Sequence, residues 1–180
     1  MILIGLEAYA VLLAWLQGGI RTDEAKYLLS IPYPHPPLAR WLLSLFDGFA
    51  WQAGAARILF ASLVVQAVWI VWKMAGGMPR LSRYALAAAW LLSWGVLSQA
   101  GAVMMAPLTA LQGLLFLWLF IRHDDATPFA GIIALFWLAS LFTAYQAALF
   151  FPIVLAIFWK MKLPAWQRLA FFLVPIILLC

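Results

Sequence analysis

Apolar residues fill most of this chain in long runs separated by short polar breaks. The runs are close to the length of about 20 residues that an α-helix needs to cross a hydrocarbon layer. They cover 2–20, 54–73, 83–99, 102–121, 129–159 and the stretch from Leu163-Pro164 to Cys180. The run 129–159 is too long for one crossing and short for two. Its single polar break, Thr143-Ala144-Tyr145-Gln146, predicts two short helices meeting there. The stretch 38–51, LARWLLSLFDGFAW, carries Arg40 and Asp47 and is too short and polar to span. Its pattern suits an amphipathic helix lying at an interface. The expected fold is an all-α integral membrane protein with about seven hydrophobic helices plus that juxtamembrane helix. It forms a single transmembrane domain over 1–180, with an outer loop and juxtamembrane helix at about 21–53.

Composition sharpens this pattern. Hydrophobic residues make up 68% of the 180 positions and charged residues 9%, too few to coat a soluble domain of this size. The first run lacks a basic leading segment and a small-residue cleavage site before Arg21, so it reads as a retained helix rather than a signal peptide. The net charge of +5 does not point to nucleic acid, because the basic residues sit singly at the ends of apolar runs and form no stripe. They report orientation instead. Alternate crossings place Lys73, Arg80, Arg83, Arg122, Lys160, Lys162 and Arg168 on one side and Arg21, Lys26, Arg40 and Arg57 on the other. The richer side is expected to face the cytoplasm. The segment 21–53 then faces the periplasm or exterior of a cell membrane, with a bacterial inner membrane the expected location.

The segment RTDEAKYLLSIPYPHPPLARW, 21–41, concentrates the polar chemistry. Asp23 and Glu24 stand just past the first helix, with Lys26, Tyr27, Tyr33 and His35 close behind. Pro32, Pro34, Pro36 and Pro37 stiffen the loop, lowering the entropy of holding one shape. A stiff polar loop at a membrane face suits a preorganised ligand site. His35 reads as a metal ligand, a donor to a phosphate or a polar turn residue, the last being the commonest role for a histidine so placed. Arg57 either snorkels to the interface or projects inward to pair an acid or a phosphate. Glu7, in the first third of helix one, reads as snorkelling to the inner interface, and Asp124 and Asp125 as solvated loop acids.

The order of these features resembles the amino-terminal half of the GT-C glycosyltransferases, of the protein O-mannosyltransferase and aminoarabinose-transferase superfamily. The residues that carry the likeness are D-E-A at 23–25, H-P-P-L at 35–38 and the A-A-R that opens helix two at Arg57. The resemblance implies transfer of a sugar from a polyprenyl phosphate to an acceptor hydroxyl, with inversion, on the outer face. It implies Asp23 as general base with Glu24 beside it, and donor or acceptor contacts from Lys26, Tyr27, His35, Arg57 and Tyr145. A divalent metal near Asp23, Glu24 and His35 is compatible with it, and no other cofactor is implied. Partners are then membrane lipids, the lipid-linked donor and a membrane subunit supplying further helices. The sequence departs from the family pattern at Pro107-Leu108, where a Pro-Asp pair is usual, at Ala144 before Tyr145, where a lysine is usual, and at Pro34, where an acid is common. Those losses support an alternative, a non-catalytic GT-C-like scaffold that binds lipid or another chain.

Overall fold

The computed structural model describes residues 2–20, 22–29, 31, 37–48 and 50–178, with the side chain of Ala39 excepted. All the regular elements among the described residues are helices, with no strand. Helix α1 spans Ile2–Leu16 and α2 spans Thr22–Leu28; α3, Leu38–Ser44, falls in the stretch expected to form an amphipathic helix. Next come α4, Gln52–Gln66, and α5, Val68–Met74, joined through Ala67 as one rod. The third apolar run divides into α6, Arg80–Leu91, and α7, Trp94–Gln99. Then follow α8, Met105–Arg122, and α9, Ala130–Leu141. The chain ends in α10, Phe151–Lys160, and α11, Ala165–Ile177.

Each apolar run is therefore helical, but the runs are more broken than their hydropathy suggests. Two helices, Gln52–Met74 and Met105–Arg122, are long and apolar enough to cross a membrane; four others are apolar but have 10–17 residues. The break expected near 143–146 is present: α9 stops at Leu141 and the chain continues as 3₁₀ turns over Tyr145–Phe150 before α10. Phe142 at that break accepts a bond from the Leu38 N–H at 2.9 Å, which docks α3 against it. Ser93 caps α7 through its hydroxyl, which accepts from the Val96 N–H at 3.3 Å and offsets one orphan donor of the helix start.

Packing proceeds in three patches. Ala10, Leu13 and Ala14 of α1 meet Ala61, Val64 and Val65 of α4 and Val96 of α7, and the small side chains let the backbones come close. Tyr27, Leu43, Phe60, Val103, Met105 and Ala144 gather α2, α3, α4, the start of α8 and the 142–150 break. The largest patch, around Phe116, Trp137, Phe158 and Phe172, binds α8 to α11. The irregular stretch 100–103 is wholly buried between the first two patches. A Cβ on Gly101 would collide with the Leu13 carbonyl, which is backbone and has nowhere to go. Gly101→Ala is expected to destabilise the fold by about 1–3 kcal/mol, read as a lower midpoint of thermal unfolding in detergent; an unchanged midpoint would refute the close approach.

The basic side chains gather toward the two ends of the bundle. At one end Arg122 donates to the Lys73 carbonyl, Lys160 Nζ to the Phe120 carbonyl at 3.0 Å, and Arg168 Nη1 to the Trp159 carbonyl at 3.0 Å. Arg83 lies 4.1 Å over the Trp72 ring. These cations satisfy last-turn carbonyls of neighbouring helices, where the helix dipole also favours positive charge. Arg57 belongs to the other end. Sixteen residues of helix separate it from Lys73, about 24 Å at 1.5 Å per residue.

At the cation-rich end Asp125 is not a free solvated acid. Its carboxylate accepts from the Thr127 N–H at 3.0 Å and from the Thr127 hydroxyl, and it pairs with Lys162 at 3.2 Å. Those donors hold its pKa down to about 2, chiefly through Thr127. A depressed acid contributes stability above its unfolded pKa of about 4 and loses it as pH falls through its folded value. Asp125→Asn is therefore expected to remove the increment of stability that the wild type loses as pH falls from about 4 to about 2. Identical acid-unfolding curves for the two proteins would refute the link.

Candidate functional site

The site begins where α1 ends. Gly18 adopts a left-handed conformation, φ 64°, a backbone state open to glycine at no steric cost. The chain turns there, and the carbonyls of Gly18 and Gly19 both receive bonds from Arg57: Nη1 donates to Gly18 at 3.1 Å and Nη2 to Gly19 at 2.9 Å. Helix α2 then starts with Asp23 and Glu24 in its first turn, where acids suit the helix dipole.

Neighbouring residues on a helix point about 100° apart, and residues three apart share a face. Helix α2 uses this to send its two acids different ways. Glu24 and Tyr27 turn inward, and Glu24 is fully buried. Asp23 and Lys26 share the outward face, with Asp23 53% exposed and its Oδ1 3.2 Å from Lys26 Nζ. Solvent reaches the first acid and not the second.

Glu24 is the centre of a clasp. Arg57 Nε donates to its Oε1 at 2.6 Å and Nη2 to its Oε2 at 2.8 Å. The Val103 N–H adds a bond to Oε1 at 3.2 Å. The paired short bonds are the fork that guanidinium and carboxylate form when their planes match. One ion pair thus ties the end of α1, α2, α4 and the buried stretch 100–103 into one unit.

Beside the clasp lies a cleft of about 620 Å³ bounded by Trp15, Ile20, Trp51, Gln52, Gly54 and Arg57. Trp51 lies so close over Gly54 that a Cβ there would strike the indole. Arg57 has five N–H donors; four are used on Glu24, Gly18 and Gly19, and the fifth, on Nη1, has no partner among the described residues. The cleft thus sets apolar walls beside one guanidinium edge.

The residues expected to form a site are brought together only in part. Asp23, Glu24, Lys26 and Arg57 converge at one end of the bundle. Tyr27 is buried in the packing around Phe60 and Ala144, so it supports the site rather than lining it. Tyr145 does not enter the bundle; it is 57% exposed at the start of the 3₁₀ turns, next to buried Ala144. His35 lies outside the described residues. Among the described residues no three His, Cys, Asp or Glu side chains gather as a metal site, and the Glu24 oxygens are taken by Arg57 and Val103. Sequence reasoning missed Gly18, Gly19 and Val103, which act through backbone atoms. The Gly-Gly pair after helix one was a visible stop signal, but nothing in the side chain of Val103 announces an N–H aimed at an acid.

Comparison with models of protein families, with curated proteins and with solved structures finds no match.

Proposed function

We propose that this chain is a multi-pass membrane protein that transfers a sugar from a polyprenyl phosphate at the outer face of the membrane, as its resemblance to the GT-C transferases implies. The seven apolar helical runs cross the bilayer, and the clasp end faces outward. One observation carries the reading: α2 is locked by Glu24 while Asp23, the adjacent acid, stays exposed on the rigid element so formed. A base must be held still and yet be reachable.

In the proposed step the acceptor hydroxyl oxygen attacks the anomeric carbon and Asp23 takes its proton. The bond from that carbon to the phosphate oxygen breaks, and polyprenyl phosphate departs with the electron pair. The cleft beside Trp15 and Trp51 takes the first isoprenoid units, and the Nη1 N–H of Arg57 that has no partner among the described residues meets the phosphate, whose negative charge grows in the transition state. No step is assigned to a metal.

The alternative is a scaffold that binds lipid or a partner chain without catalysis. What favours it is that Arg57 spends four of its five donors inside the protein and its charge is neutralised by Glu24, so its pull on a phosphate is weakened.

Two measurements decide. The purified chain in phospholipid vesicles, given a polyprenyl-phosphate sugar and a hydroxyl acceptor, is expected to release polyprenyl phosphate; absence of release from any such donor supports the scaffold. A cysteine placed at position 29, in a Cys180→Ser background, is expected to react with an impermeant reagent in intact cells. Labelling only after the membrane is opened would reverse the orientation and remove the site from the outer face.

A further inference from the structure

Away from the clasp, α1 and α4 share a second polar group that the proposed reaction does not use. Glu7 does not snorkel to the nearest helix end. Its Oε2 accepts from the Ser62 hydroxyl at 2.7 Å and its Oε1 from Gln66 Nε2 at 2.6 Å. The Trp69 indole N–H donates to Gln66 Oε1 at 3.0 Å. Because an indole nitrogen only donates, this bond fixes the amide with its NH₂ toward Glu7.

Depth and exposure make the group unusual. Ser62 and Gln66 stand ten and fourteen residues into the 23-residue rod Gln52–Met74, about 15 and 21 Å along it. If that rod crosses the bilayer, as the proposed membrane placement has it, Glu7 lies near the middle of the hydrocarbon. Glu7, Ser62, Gln66 and Trp69 are all only half-buried. They open on a flank where Ile4 and Val11 of α1 are exposed at 73% and 45%. A carboxylate offers about four acceptor positions, and the bonds from Ser62 and Gln66 fill two. Lipid supplies no donor for the others, and an acid left so in hydrocarbon is costly.

We infer that this flank of α1 and α4 docks a transmembrane helix of another protein that carries a lysine or arginine at mid-membrane depth, paired with Glu7. Charge complementarity selects that occupant. A second copy of this chain cannot supply it, since every Lys and Arg here lies in a loop or near the end of an apolar run. A lipid cannot supply it either, because headgroup cations stay at the interface. The Glu7 site would thus recognise its partner by one buried ion pair set among apolar contacts, as polar residues do between membrane helices.

The test uses the full chain in phosphatidylcholine vesicles with a dye on Cys180, its single cysteine. Dye-labelled polyleucine helices carrying a central Lys, Arg or Leu are added, and energy transfer is measured. The Lys and Arg helices are expected to bind at least about tenfold more tightly than the Leu helix, a difference of about 1.4 kcal/mol. Glu7→Gln, which keeps the shape and both hydrogen-bonding partners, is expected to erase that difference. Equal transfer from all three helices, or a preference that survives Glu7→Gln, would overturn the inference. So would Glu7-dependent transfer between copies of the chain itself. Resistance to alkaline carbonate extraction is measured alongside. A chain that washes out refutes the membrane placement and the partner with it, whereas an inserted chain without cation preference refutes the partner alone.

Discussion

Arg57→Ala is expected to cost about 3–5 kcal/mol of stability, because it strands the buried Glu24 carboxylate without its partner. The geometry leaves that acid little recourse. It is fully buried, its two oxygens take the fork from Arg57, and the Val103 N–H adds a single neutral bond that cannot replace the charge. The same change frees the Gly18 and Gly19 carbonyls, so the end of α1 loses its anchor as well. Arg57→Lys should recover only part of the loss, since one ammonium cannot reproduce the planar fork. Glu24→Gln leaves the cation in place with a neutral partner and should cost less than Arg57→Ala. Replacing both by apolar residues, Glu24→Leu with Arg57→Met, should cost far less than the sum of the single changes, because neither charge is then left alone. Thermal or denaturant unfolding in detergent, followed by helical circular dichroism, reads all of these. A near-neutral Arg57→Ala would show that the clasp does not hold the fold.

How far the sequence foretold this architecture depends on the distance over which each feature is encoded. Helical runs are local, since hydropathy and polar breaks mark them, and the α9 to α10 break fell where Thr143 and Gln146 interrupt the apolar stretch. The division of the third run into α6 and α7 was not legible, because Leu92 and Ser93 differ little from their neighbours. The acids 23 and 24 were both visible, but their different fates were not. That difference follows from the face of α2 that meets α4, and so from the long-range position of Arg57. Arg57 itself had been left open between snorkelling, an acid and a phosphate, and the acid holds most of its donors. The partners of Glu7 were hidden for the same reason, since Ser62 and Gln66 lie 55 and 59 residues away on another helix.

Asp23→Asn is expected to lower sugar transfer by about 10²–10⁴-fold, the usual loss when a positioned base is removed. Stability should stay within about 0.5 kcal/mol of the wild type, because the side chain is exposed and Lys26, with which it pairs, is a neighbour on the same helix. That combination separates the two acids of α2. Glu24→Gln should lower transfer in step with the folded fraction, whereas Asp23→Asn should do so in protein that is fully folded. Lys26→Ala provides a finer check. If the lysine only holds Asp23 in place, its loss should reduce turnover modestly and leave donor affinity unchanged; if it also meets the phosphate, the Michaelis constant for the donor should rise. Asp47→Asn serves as the control, since Asp47 is an exposed acid bonded to Gln52 at 2.9 Å and is assigned no role. Full transfer by Asp23→Asn in a wild type that is active would remove Asp23 as the base and direct attention to the acids and His35 elsewhere on the outer face. No transfer in the wild type, with Asp23→Asn silent for lipid and partner binding as well, would leave α2 as a brace: a helix whose buried acid holds the fold and whose exposed acid does no chemistry.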